Sequence, residues 1–151
     1  ILKSKNVKFK CILIGNGLTK ENKDLACKIR KYKLLNRVIL LGELNEVNKI
    51  LNSFDINVLS SKSECAPLTL MEAMATGVPS ISTKVGDAEN ILGDTGWIIK
   101  VGDYKALAEH IEQIYKSKKL LKEKSNLALN RAKTFFSLEL MLSKYKKLYN
   151  M

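Results

Sequence analysis

The segment PLTLMEAMATGVPSIST, residues 67–83, joins a helical pattern to a strand pattern, and this junction decides the fold class. Residues 67–77 begin with proline and end with glycine, which favour the first turn of a helix and the position just after its last turn. Residues 78–83, VPSIST, are predicted to form a short strand. A helix that leads directly into a buried strand predicts a parallel sheet built from βαβ units.

The same alternation continues on both sides of this segment. Apolar runs predict strands, and apolar residues at helical spacing predict the helices between them. After residue 101 only helical patterns follow. We therefore predict an α/β domain with a Rossmann-like, doubly wound parallel sheet, helices on both faces and a C-terminal helical tail. Its strands are predicted at residues 8–15, 37–42, 55–61, 78–83 and 96–101.

The helical tail ends in an apolar stripe formed by Leu138, Met141, Leu142, Tyr145, Leu148 and Tyr149. Such a stripe usually marks the side of a helix that packs against a core. We predict core packing for this stripe and for the neighbouring Phe135 and Phe136.

Ligands of doubly wound sheets bind beyond the carboxyl ends of the strands. Four loops leave such ends, at residues 15–17, 42–45, 61–67 and 83–89. We expect these loops to gather along one edge of the sheet, and this edge is therefore the predicted binding site.

Two glutamates frame the start of the helix at 67–77. Glu64 lies on the preceding loop and Glu72 lies within the helix. The helix N-terminus between them presents unpaired backbone N–H groups and the positive end of a dipole, which suit a phosphate. Carboxylates accept hydrogen bonds from sugar hydroxyls, so the arrangement suits a nucleotide sugar. The spacing alone also allows both glutamates to be ordinary surface residues.

The string S-x-x-E-x-x-P-x-x-x-x-E-A-M-A-x-G-x-P, from Ser61 to Pro79, closely resembles the E-x7-E signature of glycosyltransferase family 4, whose members are retaining enzymes of the GT-B fold. The likeness continues upstream in LIGNG (13–17) and FDINVLSS (54–61), and downstream in DTGWIIKVGD (94–103). It covers about residues 7–115.

This resemblance implies that residues 1–151 are the C-terminal nucleotide-sugar-binding domain of a GT-B enzyme, without its first strand and its N-terminal acceptor domain. It also implies that the C-terminal helical tail crosses back to that missing domain, which would leave some of the tail exposed. Glu64 would bind the donor sugar and steady the charge that develops on its ring. Glu72 would bind the ribose, and the main chain near Leu44 would contact the base. The remaining donor-binding positions would be Gly15, Gly17, Pro67, Leu68 and Thr69, the last two through their backbone amides at the diphosphate.

The implied reaction transfers a sugar, with retention, from a nucleotide diphosphate donor to a glycan or lipid-linked acceptor. The expected donor is UDP-hexose or UDP-N-acetylhexosamine, and the expected role is bacterial O-antigen or capsule synthesis. The family's Arg and Lys that clamp the diphosphate have no counterpart here, so we expect the fragment alone to be inactive. No Asp-x-Asp pair occurs, and neither a metal ion nor another cofactor is expected.

Other functions remain as alternatives. A GT-B epimerase or phosphorylase would share the fold. A dinucleotide-binding oxidoreductase requires G-x-G-x-x-G, whereas GNGLTK places Lys20 at the third glycine. A basic nucleic-acid-binding module is allowed by charge, but no recognition motif supports it, and nucleic acid is not an expected partner.

The formal net charge of +11 is unevenly distributed. Residues 1–50 carry +8, residues 51–100 carry −3 and residues 101–151 carry +6. Basic faces favour an anionic partner, and we expect a cytoplasmic protein with peripheral contact to the inner face of an anionic membrane. Cys11, Cys27 and Cys65 form no CxxC pair, which fits a reducing compartment. Cys11 and Cys27 are predicted to be buried.

Overall fold

The computed structural model describes residues 1–149, which form two compact units. The first unit is Leu2–Val47, and the second unit comprises Ile1 and the described residues from Asn48 onward. The strands are β1 Cys11–Ile14, β2 Val38–Gly42, β3 Asn57–Leu59, β4 Ser80–Thr83 and β5 Trp97–Ile99. The helices are α1 Lys23–Lys31, α2 Asn48–Leu51, α3 Leu68–Ala75, α4 Ala88–Leu92, α5 Tyr104–Lys116, α6 Lys118–Phe135 and α7 Leu138–Leu148.

The first unit is a β1-α1-β2 unit in which the two strands pair in parallel. Their register starts at Cys11 opposite Val38 and shifts between Leu13 and Ile14. Asn22 begins α1 by accepting a hydrogen bond from the Leu25 amide, which satisfies one of the N–H groups left unpaired in the first turn.

The second unit contains a three-stranded parallel sheet in the order β3-β4-β5, with a core on each face. Neighbouring residues of a strand point to opposite faces, so Ile98 and Ile99 divide between the two cores. Ile98 packs against the core of α3, α4 and α6, which includes Leu70 and Met74. Ile99 joins Ile81 and Ile114 in the core covered by α5.

The predicted α/β class, with parallel strands and helices on both faces, is therefore confirmed. The described strands are divided between a two-stranded sheet in the first unit and a three-stranded sheet in the second. Among the described residues, no helix is long and apolar enough to cross a membrane.

The C-terminal stripe does not pack in the core, and this prediction is wrong. No residue of α7 is buried, and more than half of the surface of Tyr145 and Tyr149 is exposed. Their rings stack on each other, with centroids 6.4 Å apart. Phe135 is also exposed, whereas Phe136 packs against the α3–α4–α6 core as predicted. Helical spacing identifies an apolar face but not what covers it.

The burial predicted for Cys27 is also wrong. This thiol is exposed on α1, where Ile29 is the buried residue. Two residues correspond to about 200° of rotation around a helix, which places Cys27 on the opposite side from Ile29. Cys11 on β1 is partly buried.

Burial raises the pKa of the Cys11 thiol above its ordinary value, because it disfavours the charged thiolate. We therefore expect iodoacetamide at pH 8 to alkylate Cys11 several-fold more slowly than the exposed Cys27, since the thiolate is the reactive form. Time-resolved peptide mass spectrometry measures both rates in one sample. Equal rates in the native chain would contradict this expectation, and urea should remove the difference.

Candidate functional site

The candidate site begins with the local structure of α3. Pro67, with φ −69° and ψ 104°, occupies the position before the first helical residue. Leu70, Ala73 and Met74 are buried and anchor one side of the helix in the core. The opposite side is exposed and carries Glu72.

The start of α3 lacks a side-chain cap. In α1, α5, α6 and α7 the capping side chain of Asn22, Asp103, Ser117 or Ser137 accepts a hydrogen bond from the first turn. Proline has no side-chain acceptor, and no such bond is present at Pro67. Leu68 and Thr69 are exposed in this first turn. The backbone N–H groups of an uncapped helix start can bind an anion such as a phosphate.

Glu64 lies in the loop between β3 and α3 and is exposed. Its Oε1 accepts a hydrogen bond of 2.7 Å from the hydroxyl of Ser61. The carbonyl of Ser61 in turn accepts a hydrogen bond of 2.7 Å from the hydroxyl of Thr83, the last residue of β4. The loop that carries the carboxylate is thus tied to the end of the neighbouring strand.

A second loop packs against the first at the carboxyl end of the sheet. The Asp87 amide donates to the Cys65 carbonyl at 2.8 Å. Gly86 has φ +47°. A Cβ added there would lie 2.1 Å from the backbone carbonyl oxygen of Cys65 and 2.5 Å from that of Glu64. These contacts confirm that loops 61–67 and 83–89 gather at one edge.

Two charged side chains of the second loop pair with each other. Lys84 Nζ lies 2.8 Å from Glu89 Oε2, and both side chains are more than half exposed. Such an exposed pair contributes little to stability.

The first unit brings together its own two loops. The amide of Gly15, directly after β1, donates to the carbonyl of Gly42, the last residue of β2, at 2.8 Å. Gly15 has φ +143° and Gly17 has φ +72°, backbone conformations that residues other than glycine rarely adopt. Leu44 lies in the loop after β2 and is partly buried.

The predicted site residues are therefore placed as two sets, one in each unit. Gly15, Gly17 and Leu44 lie in the first unit; Glu64, Pro67, Leu68, Thr69 and Glu72 lie in the second. Their joint use by one ligand stays a prediction.

Sequence reasoning assigned no role to Ser61, Thr83 or Gly86. Ser61 stands three residues before Glu64, a spacing at which a hydroxyl can reach a carboxylate within one loop. This spacing is the sequence feature that could have indicated the contact between Ser61 and Glu64. The contacts of Thr83 and Gly86 join two loops that are far apart in sequence, and no local pattern indicates them.

Residues 1–134 match the family model described as "Glycosyl transferases group 1". The chain is 32% identical, over 145 residues, to N-acetyl-alpha-D-glucosaminyl L-malate synthase of Bacillus anthracis, covering 95% of this chain and 38% of that protein. It is 27% identical to the capsular polysaccharide biosynthesis glycosyltransferase CapM of Staphylococcus aureus, covering 99% of this chain and 40% of CapM. The chain thus spans about two-fifths of these relatives.

Solved structures share the fold. Anabaena Alr3699/HepE in complex with UDP matches with a TM-score of 0.85 at 22% identity, over 95% of this chain and 41% of that one. A glycosyltransferase from Rickettsia africae matches with a TM-score of 0.85 at 25% identity, over 97% of this chain and 41% of that one.

The crowding at Gly86 generates a stability prediction. Gly86→Ala should lower the free energy of unfolding by about 3 kcal/mol or more, because the cost of a left-handed backbone conformation adds to the cost of a clash with neighbouring backbone. Gly102→Ala is the matched control, since Gly102 has φ +81° but no atom within 4 Å of an added Cβ. It should cost about 1–2 kcal/mol.

Urea unfolding followed by the fluorescence of Trp97, which lies in the same unit as both glycines, measures the two changes. Equal losses for the two variants would show that the close approach of the loops contributes nothing.

Proposed function

This chain belongs to the group 1 glycosyl transferases, and we propose that it binds the nucleotide-sugar donor of a retaining enzyme that builds bacterial surface polysaccharides. The observation that carries the proposal is the uncapped start of α3 between two exposed carboxylates, Glu64 and Glu72. One edge of the second unit thereby offers an anion site together with acceptors for hydroxyl groups.

We assign the diphosphate to the backbone amides of Leu68 and Thr69, beside Pro67. Glu72, one turn further along the exposed side of α3, accepts hydrogen bonds from the ribose hydroxyls. Glu64 accepts hydrogen bonds from hydroxyls of the donor sugar.

In the first unit, the main chain near Leu44 contacts the base, and Gly15 and Gly17 allow the backbone to approach the donor closely because they lack Cβ. We propose UDP as the nucleotide, with hexose or N-acetylhexosamine as the sugar. The complexes of HepE with UDP and with UDP-glucose, whose fold this chain shares, support that choice.

The proposed reaction breaks the bond between the anomeric carbon and the diphosphate oxygen. The oxygen of an acceptor hydroxyl forms a bond to that carbon on the same face of the sugar, and the hydroxyl proton passes to the departing diphosphate. Positive charge develops on the ring as the bond breaks, and the Glu64 carboxylate stabilises it. Negative charge develops on the departing diphosphate and is stabilised by the N-terminus of α3. We propose that this step uses no metal ion and no cofactor.

The acceptor is proposed to be a glycan or a lipid-linked sugar, held by a part of a longer protein. The chain spans only about two-fifths of its relatives, and CapM is named for capsular polysaccharide biosynthesis. We propose that the chain alone does not turn over, because acceptor binding and the cations of the diphosphate clamp come from that other part.

We further propose peripheral contact with the cytoplasmic face of an anionic membrane through α7. Met141, Leu142 and Tyr145 form part of its exposed apolar stripe. At 100° per residue, Lys144 and Lys146 lie on either side of this stripe. An apolar stripe flanked by lysines is typical of helices that lie at a membrane surface.

Nucleotide titration by heteronuclear NMR tests the donor site. UDP should produce saturable shifts in residues 61–72, and Glu72→Gln should raise the Kd about tenfold or more, because hydrogen bonds to charged groups are among the stronger ones. Glu109→Gln on α5 is the matched control, an exposed helical glutamate outside the candidate site. It should leave the Kd unchanged.

GDP, ADP and a short DNA complete the titration series. A saturable response to another diphosphate would change the proposed base but keep the donor site. Binding of DNA alone would overturn the proposed function.

Co-sedimentation with vesicles of phosphatidylcholine and phosphatidylserine tests the membrane contact at physiological salt. Leu142→Gln with Tyr145→Gln should reduce the bound fraction several-fold, since the apolar stripe enters the interface. Tyr104→Gln, at another exposed aromatic residue, should not. If the unaltered chain remains in the supernatant with anionic vesicles, the proposal of membrane contact through α7 is wrong.

A further inference from the structure

We propose that Ser61 is a positioning residue, which orients the Glu64 carboxylate toward the donor sugar. This inference rests on the proposed function for its ligand. It adds a division of roles within the site: Ser61 contributes to binding of the sugar and not to binding of the nucleotide.

The contact itself is short and charge-assisted. Ser61 Oγ lies 2.7 Å from Glu64 Oε1, as expected when a hydroxyl donates to an ionised carboxylate. The exposed Glu64 would otherwise sample several rotamers. With Oε1 held by Ser61, the second carboxylate oxygen can accept a hydrogen bond from a sugar hydroxyl.

Ser61 is itself held by the rigid part of the unit. Thr83 is 2% exposed and donates to the Ser61 carbonyl at 2.7 Å. Thr83 pairs with Ile99 in the sheet, and the amide of the next residue, Lys84, donates to the Ile99 carbonyl at 2.8 Å. Three hydrogen bonds, joined by the covalent chain at residues 83–84 and within Ser61, therefore connect β5 through the end of β4 to the carboxylate.

The backbone beyond Glu64 is fixed independently of Ser61. The Asp87 amide binds the Cys65 carbonyl, and Gly86 packs against the Glu64 and Cys65 carbonyl oxygens. Removing the Ser61 hydroxyl should therefore leave the loop in place and release only the side chain of Glu64. A carboxylate that must be ordered at the moment of binding gives weaker binding than one that is already ordered.

Ser61→Ala tests the inference, with Ser61→Thr as the conservative variant and Ser63→Ala as the matched control in the same loop. NMR titration of the chain measures the Kd of UDP, UDP-glucose and UDP-N-acetylglucosamine. For whichever UDP-sugar binds, we expect Ser61→Ala to raise the Kd about 5- to 10-fold, the order expected when one side chain must be immobilised on binding. The Kd of UDP should stay the same, Ser61→Thr should restore sugar binding and Ser63→Ala should have no effect.

A ligand-free measurement separates this inference from the proposed function. Three-bond couplings of the Glu64 side chain should show a dominant rotamer in the unaltered chain and rotamer averaging in Ser61→Ala. Unchanged couplings overturn the positioning role. An equal loss of UDP and UDP-sugar affinity also overturns it, because that result indicates a structural role for the whole loop. If the unaltered chain binds no nucleotide, the proposed function fails together with the sugar-binding role, and the couplings alone then decide whether Ser61 orients Glu64.

Discussion

The close approach of two loops at the carboxyl end of β4 is the constraint on which the candidate site depends. A Cβ at residue 86 would lie 2.1 Å from the Cys65 carbonyl oxygen, so these backbones can meet only at a glycine. This approach lets the Asp87 amide bind Cys65 and keeps Glu64 next to the start of α3. One backbone contact therefore fixes the loop that carries Glu64 to the uncapped start of α3.

The far ends of the two helices at this edge are braced by α6. Ser125 on α6 donates to the Gly77 carbonyl just beyond α3, and Arg131 donates to the Ile91 carbonyl of α4 at 2.8 Å. Buried Ala128 lies between them and joins the same core. Because carbonyls at the end of a helix lack partners within it, these contacts satisfy groups that would otherwise need water. The long helix thus stabilises the orientation of both helices while the site itself stays open.

Local patterns predicted the elements, whereas contacts between distant segments could not be predicted. The bounds predicted for α3 from Pro67 and Gly77 agree with the observed ones to within one residue at the start and two at the end. They agree because proline and glycine act on the backbone at their own positions. Glu64 and Glu72 were predicted as site residues because they stand in a recognisable string. The contacts of Thr83 and Gly86 join segments that are about 20 residues apart in the sequence. Whether the apolar face of α7 is exposed depends on whether another part of the structure packs against it. Neither leaves a periodic signal in the sequence.

Charge limits what residues 51–100, which carry Glu64, Glu72 and the start of α3, can contribute to the affinity for a diphosphate. The N-terminus of a helix offers the equivalent of about half an elementary charge, whereas residues 51–100 carry a net charge of −3. Lys84 is already paired with Glu89. In the function that we propose, Glu64 and Glu72 recognise hydroxyl groups, so this segment is better suited to select the ligand than to attract it. Cations outside the segment would then offset the charge of the diphosphate. Selectivity for the sugar can then change at residues 64–66 without altering the buried side of α3 that holds the fold together.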